Sequence, residues 1–184
     1  LKPGAPELHA DSRYNLDAAA IVERFDLGLD VLTVVFETPK DGCYRTDAMA
    51  YIDQFAWQMS NVPGVLSVAS VAQLAKQAYA GTNEGYPKWT ALALDERSLA
   101  NSVGLIPEGT GLFNPGCTVL PVNIYLTDQN ATTIKGVIAA VRAFRERETF
   151  EGVSVRPASG NAGVQAGTNE VLETTELPTM LYVY

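Results

Sequence analysis

The spacing of hydrophobic positions changes twice within residues 30–71. β-Branched residues dominate residues 30–37, which predicts a strand with Leu32, Val34 and Phe36 on one side and Val31, Thr33 and Val35 on the other. From Thr46 onward every third or fourth residue is apolar, which predicts an amphipathic helix with Thr46 as its N-cap. The apolar face of this helix consists of Ala48, Ile52, Phe55 and Met59. Asn61-Val62-Pro63-Gly64 should end the helix, and residues 65–71 return to a strand pattern.

A second unit of the same kind occupies residues 118–158. Residues 119–126 have a strand pattern, and Asp128 or Asn130 can cap the helix that follows. The apolar face of that helix consists of Ile134, Val137, Ile138, Val141 and Phe144. A turn at Phe150-Glu151-Gly152 leads into a last strand at residues 153–157. Two such units predict an α+β, ferredoxin-like split β-α-β fold, in which both helices cover one face of a four-stranded antiparallel sheet.

An insertion at residues 72–117 separates the two units, where this fold needs only a hairpin. A connection of this length usually carries function or small elements of its own. Within it we expect helices at residues 73–80 and 95–103, followed by a loop rich in Gly and Pro. Ahead of the first unit, Asn15 can cap a short helix that should dock on the core through Leu16, Ala20 and Phe25. In the final segment, 159–184, residues 164–176 have a helical pattern.

Composition narrows the class of partner. The 184 residues carry a formal net charge of −8 and contain no basic run, which argues against nucleic acid and anionic membrane surfaces as partners. No apolar stretch reaches the roughly 18 residues of a membrane span. The chain begins and ends abruptly, and its last residues are apolar, so we expect a piece of a longer polypeptide.

The sequence offers no catalytic constellation. Its single histidine, His9, lies in a Pro-rich stretch and has neither a nucleophile nor a metal-binding cluster around it. The segment Gly160-Asn161-Ala162-Gly163 lacks the strand and helix that a phosphate-binding loop requires. We therefore expect a protein that is not an enzyme, with no catalytic residue, cofactor or metal. An enzyme that uses paired carboxylates is kept as the minor alternative.

The two cysteines, Cys43 and Cys117, leave a disulfide and two free thiols as open alternatives. We expect the first and third strands to run parallel, which would place the cysteines at opposite ends of the sheet. They would then lie beyond the roughly 7 Å Cα separation that a bridge allows. Proline is poor inside a central strand, so the third strand could begin only at Val122, after Pro121. Cys117 would then belong to the insertion and could reach back to Cys43.

The aromatic residues of the helix and the insertion have two interpretations. Trp57 lies off the apolar face of its helix, and the insertion contains Tyr79, Tyr86 and Trp89. One interpretation, which we favour, is that the insertion folds over the helix and buries these rings. The other is that they line an apolar groove for a ligand. The candidate ligand-binding residues are Phe55, Trp57, Met59, Tyr86, Trp89 and Phe113.

Taken together, these segments resemble the first periplasmic loop of a resistance-nodulation-division (RND) transporter, in the MmpL-like branch of hydrophobe exporters. The resemblance covers nearly the whole chain. Its most specific part is the helix-to-strand turn at residues 61–68, NVPGVLSV. Asn83-Glu84-Gly85 with Lys88-Trp89, and Asn114-Pro115-Gly116-Cys117 before the third strand, are also similar to that branch.

The resemblance implies a single periplasmic porter domain, 1–184, between two membrane helices, with residues 159–184 leading toward the second helix. Such a domain receives hydrophobic or lipid cargo, with sterols, hopanoids and other amphiphiles as candidates, and the membrane part drives export with the proton gradient. The implied partners are the membrane helices, a second periplasmic loop and periplasmic carrier proteins. No catalytic residue of the family falls in this chain, and its compartment permits a disulfide. The alternative is a free-standing periplasmic lipid-binding or carrier domain.

Overall fold

A computed structural model describes residues 9, 11–25, 30–128 and 130–159. Within these ranges the chain forms five α-helices and four strands, which confirms the predicted α+β class. The helices are α1 (Arg13–Phe25), α2 (Thr46–Ser60), α3 (Val71–Thr82), α4 (Glu96–Gly104) and α5 (Ala131–Arg147). The strands are β1 (Asp30–Glu37), β2 (Val65–Ala69), β3 (Val119–Leu126) and β4 (Ser154–Ser159). The helical pattern at residues 164–176 lies outside the described residues.

The four strands form one sheet in the order β2-β3-β1-β4, and every pair of neighbours is antiparallel. The four-stranded antiparallel sheet was predicted and is confirmed. The central pair is β1 with β3, whose register runs from Asp30 opposite Leu126 to Glu37 opposite Val119. This antiparallel pair corrects the expectation that the first and third strands run parallel.

Pro121 lies inside β3, which confirms the strand predicted at residues 119–126 and makes the alternative start at Val122 wrong. The Thr38 N–H donates to the Thr118 carbonyl at 2.9 Å. Because hydrogen-bonded pairs alternate along an antiparallel ladder, the Pro121–Val35 pair falls at a position without hydrogen bonds between the two strands. The Pro121 nitrogen therefore faces the β2 side, where β2 has already ended opposite Asn123. The missing N–H costs the sheet no ladder bond.

One face of the sheet supports the hydrophobic core. Leu32, Val34 and Phe36 of β1 are at most 2% exposed, whereas the residues between them are half-buried on the other face. The ring of Phe55 on α2 lies 5.0 Å from Phe36 and 5.0 Å from Phe144 on α5, measured between centroids. Helices α2 and α5 therefore cover the same face of the sheet. The predicted core positions of both helices are buried or half-buried there.

The beginning of α2 differs from the prediction. Arg45 is extended and occupies the N-cap position, so Thr46 is the first helical residue and not the cap. The Arg45 guanidinium bonds the Asp47 carboxylate at 2.6 Å, and that bond holds the pKa of Asp47 below its usual value. Asp47 also accepts the Ala48 N–H at 2.7 Å. The Asp47 carboxylate thus stabilises the first turn of α2, the role that was expected of the Thr46 hydroxyl.

Strand β2 is shorter than residues 65–71 because a helix begins sooner. The buried Ser70 hydroxyl accepts the Gln73 N–H at 3.3 Å, which makes Ser70 the N-cap of α3. Val71 is therefore the first residue of α3 instead of the last residue of a strand. The β-branched side chain of Val71 is fully buried. An apolar, β-branched residue suits both the end of a strand and a buried first helical turn, so the residue type alone does not distinguish the two.

Helix α1 begins at Arg13, ahead of the predicted start. The Ser12 hydroxyl accepts the Asn15 N–H at 3.3 Å, so Ser12, not Asn15, serves the first turn. The predicted docking of Leu16 on the core is wrong, because its side chain is 57% exposed. The side chain of Phe25 lies outside what the structure describes.

Truncation of Phe55 tests the core. Phe55→Ala should lower the free energy of unfolding by about 3–5 kcal/mol, because the ring is fully buried between two other rings. The measurement is urea unfolding followed by circular dichroism. The matched control is Gln54→Ala, on the exposed face of the same helix, which should change stability by less than about 0.5 kcal/mol. Equal effects of the two changes would contradict this packing.

Candidate functional site

The return of the insertion to the sheet is fixed by a disulfide. Cys43 and Cys117 are bridged, with a Cα–Cα distance of 5.3 Å, and both side chains are at most 1% exposed. Because β1 and β3 are antiparallel, the residues after β1 and the residues before β3 lie at the same end of the sheet. The geometric objection to the bridge assumed parallel strands, and that assumption was wrong.

Backbone and side-chain hydrogen bonds reinforce this junction. The Gly42 N–H donates to the Cys117 carbonyl at 3.1 Å, and the Thr38 hydroxyl donates to the same oxygen at 2.8 Å. A Cβ added at Gly42 would lie 2.0 Å from the Thr38 hydroxyl oxygen, so no larger residue fits there without a shift. On the other side of β3, the Asn114 carboxamide oxygen accepts the N–H groups of Thr118 and Val119. The last residues of the insertion are therefore held rigidly against the sheet.

Two of the predicted ligand-binding residues lie in the core. Phe55 is fully buried and Met59 is 2% exposed, both beneath α2. Neither side chain reaches the surface of the folded domain. Phe113 is partly buried and packs against the same core. The surface members of the predicted set are therefore Trp57, Tyr86 and Trp89.

Trp57 lies on the outer surface of α2 and is 67% exposed. On one side of α2, Asp53 pairs with Lys76 of α3 at 2.6 Å. On another side, Gln58 accepts a hydrogen bond from Arg147 of α5 at 2.7 Å. Neighbouring helices thus occupy both flanks of α2, and the Trp57 ring is left between them, facing out.

The favoured interpretation, that the insertion buries these rings, is wrong for Trp57 and Tyr86. Tyr86 is 59% exposed, and Trp89 is 37% exposed and thus only partly covered. The reason is that the apolar faces of the insertion helices pack into the core of the domain. Helices α3 and α4 bury Ala72, Ala75, Leu99 and Val103 in the domain core, and α3 lies beside α2 instead of over its outer surface.

Four residues of the insertion form what we call the insertion aromatic site: Tyr79, Tyr86, Lys88 and Trp89. The rings of Tyr79 and Trp89 meet edge to face, with centroids 5.6 Å apart. The Lys88 Nζ lies 5.2 Å from the Tyr86 ring centroid and 5.5 Å from that of Trp89. Trp57 takes no part in the ring contacts found among the described residues.

A defined turn at the end of α3 positions this site. The Asn83 and Gly85 N–H groups both donate to the Ala80 carbonyl, and the Asn83 side chain donates to the Tyr79 carbonyl at 2.8 Å. Glu84 and Gly85 adopt positive φ angles of 61° and 68°. The chain reverses there and enters a 3₁₀ turn at Pro87–Trp89, where the fixed φ of proline suits the first position. The rings are therefore exposed on an ordered backbone.

The sequence interpretation missed Lys88 of this site and two exposed leucines at the ends of α4. Lys88 was noted only as part of the resemblance, although a lysine next to one aromatic residue and two positions from another is a signal that the sequence carries. Leu94 and Leu105 are 97% and 60% exposed, at the two ends of α4. Asp95 caps that helix by accepting the Ser98 N–H at 2.9 Å, which holds the pKa of Asp95 below its usual value.

The described residues offer no metal-binding group of three or more His, Cys, Asp or Glu side chains. His9 is exposed, with Nδ1 2.7 Å from an oxygen of Asp11. The chemistry available at the insertion aromatic site is noncovalent: ring faces, apolar edges and one ammonium group. Such a surface can bind an apolar or amphiphilic molecule.

The sequence matches no family model and no curated protein. None of the helices in the described ranges is long and apolar enough to cross a membrane.

Removal of the disulfide should destabilise the fold. The bridge joins residues 74 positions apart, and a loop of that length gives about 4 kcal/mol of stabilisation in the chain-entropy model. We expect Cys43→Ser/Cys117→Ser to lose most of that free energy of unfolding, measured by urea titration. The control is the parent chain, whose free thiols are measured with and without a reductant in the absence of urea. Because the sulfurs are buried, the folded bridge should resist reduction until the protein is partly unfolded. A double variant as stable as the parent would contradict the anchoring role.

Proposed function

We propose that this chain is a periplasmic porter domain of an RND exporter that moves hydrophobic or lipid substrates. The observation that carries the proposal is the order of the elements. The first unit is β1-α2-β2 and the second is β3-α5-β4, and the sheet order β2-β3-β1-β4 places a strand of each unit between the strands of the other. That arrangement supports a ferredoxin-like split β-α-β fold, as the resemblance to this transporter family implies.

The position of the insertion also supports the proposal. It leaves the sheet after β2 and returns at β3, between the two units, as the resemblance implies. Its return is closed by a buried disulfide, and such bridges persist in oxidising compartments such as the bacterial periplasm. We therefore propose the periplasm as the location of the domain.

The exposed rings support an apolar cargo. Trp57, Tyr86 and Trp89 are 67%, 59% and 37% exposed, and the Tyr86 and Trp89 rings lie around one lysine, so they offer ring surface that an apolar molecule can cover. We propose sterols, hopanoids or other amphiphiles as the cargo class. The remaining transporter, formed by membrane helices and a second periplasmic loop, and periplasmic carrier proteins are the proposed protein partners.

A free-standing periplasmic lipid carrier is the second candidate. One observation favours it: the insertion aromatic site lies entirely within residues 79–89 of a single chain. A carrier needs its whole site on one polypeptide, whereas a porter domain can share its site with a second loop. The two candidates differ in the size and the location of the native polypeptide.

Cell fractionation separates these candidates. An antibody raised against the 184-residue chain should detect a polypeptide several times longer than the chain, in the inner membrane and resistant to alkaline carbonate extraction. Protease added to spheroplasts should remove the epitope, because the domain faces the periplasm. A cytoplasmic protein of known location serves as the control. A short polypeptide released with the periplasmic fraction would overturn the exporter assignment and favour the carrier.

A further inference from the structure

The most unusual feature of the exposed surface is the position of the Lys88 ammonium group. It lies over the faces of two rings, those of Tyr86 and Trp89. Among the residues that the structure describes, no salt bridge joins it to a carboxylate, although the chain contains 21 acidic residues. Because no carboxylate among the described residues pairs with Lys88, its ammonium group can still bind an anion.

The two kinds of contact at this site are compatible. Each ring face attracts an ammonium group only weakly at an exposed position, and it accepts no conventional hydrogen bond. The three N–H donors of Lys88 are therefore not consumed by the rings. At the same time, Tyr86 is 59% exposed and Trp89 is 37% exposed, so part of each residue remains open to an apolar chain. An ammonium group that can bind an anion and an apolar surface thus lie within two residues of each other along the chain.

We infer that the insertion aromatic site binds an amphiphile with an anionic head group, the head on Lys88 and the apolar body along Tyr86 and Trp89. This inference names a substrate class within the proposed function and rests on it for the transport role. A neutral amphiphile would cover the rings but would leave the ammonium group without an anion. A simple anion would meet the ammonium group but gain nothing from the rings.

The turn at the end of α3 fixes the positions of the rings that would contact the ligand. The Tyr79 and Trp89 rings meet edge to face, and the backbone bonds to the Ala80 carbonyl fix where the chain reverses. The site is therefore largely formed before a ligand arrives, so little ordering accompanies binding. Only the Lys88 side chain has to turn toward the head group.

A titration of the full 184-residue chain with two matched ligands tests this inference. Oleate and oleyl alcohol have the same chain and differ in the charge of the head group. The chain has two tryptophans, so Trp57→Phe leaves Trp89 as the sole tryptophan reporter. In that variant, oleate below its critical micelle concentration should produce a saturable change in Trp89 fluorescence. Oleyl alcohol should bind at least about tenfold more weakly, because it cannot form a charge-assisted hydrogen bond with Lys88.

Substitution of Lys88 completes the test. In the Trp57→Phe background, Lys88→Met should weaken oleate to the affinity of oleyl alcohol and leave oleyl alcohol unchanged, whereas Lys88→Arg should retain the preference. The matched control is Lys40→Met, which removes an exposed lysine in the turn after β1 and should change neither affinity. Equal affinities of the two ligands in the parent, a flat response to both, or an oleate affinity that does not depend on Lys88 would each overturn the inference.

The outcome is separable from that of the fractionation experiment. Selective oleate binding by a short, periplasmic polypeptide would support the site and remove the exporter. A large membrane-bound polypeptide whose domain does not distinguish the two ligands would support the exporter and remove the site. Acetate, the head group without the chain, should give no response in either case, and a response to acetate equal to that of oleate would show an ion site that does not use the rings.

Discussion

The antiparallel pairing of β1 with β3 is the constraint on which the other features depend. It places Leu32, Val34 and Phe36 on the same face as the buried residues of β3, which defines where α2 and α5 can pack. It also brings the end of β1 and the start of β3 together, so a single bridge can close the whole segment between them. A parallel pair would have separated those ends by the length of the strands.

The sequence predicted local elements well because each leaves a periodic trace. The bounds of β3 at residues 119–126 match the prediction, and the three residues expected to share one side of β1, Leu32, Val34 and Phe36, are all buried. Strand direction leaves no such trace. A period of two tells which side of a strand is buried but not which way its neighbour runs, and the error about the cysteines came from there. Similarly, the pattern at Val71 suits both a strand and a buried first turn, and Ser70 decides between them through its hydroxyl.

The candidate site could be predicted only in part, for a related reason. Helical spacing correctly placed Trp57 off the core face of α2, but whether another segment covers that face depends on contacts distant in sequence. Helix α3 lies beside α2, where Lys76 pairs with Asp53, and it does not cover the outer surface of α2. The role of Lys88 depends on both Tyr86 and Trp89 turning toward one ammonium group, which the turn at Glu84 and Gly85 produces. The spacing of Tyr86, Lys88 and Trp89 brings them close along the chain, but it does not show that both rings turn toward the lysine.

The net negative charge of the whole chain and the single positive charge of Lys88 affect anions of different sizes. At physiological ionic strength the field of a surface charge decays over about 8 Å, so a bound head group senses Lys88 and little of the net charge of −8. A polyanion or a charged bilayer spans many such lengths and meets the acidic surface as a whole. The same protein can therefore repel extended anionic surfaces and still accept one small anionic head group. That combination suits a domain that takes up amphiphiles as single molecules.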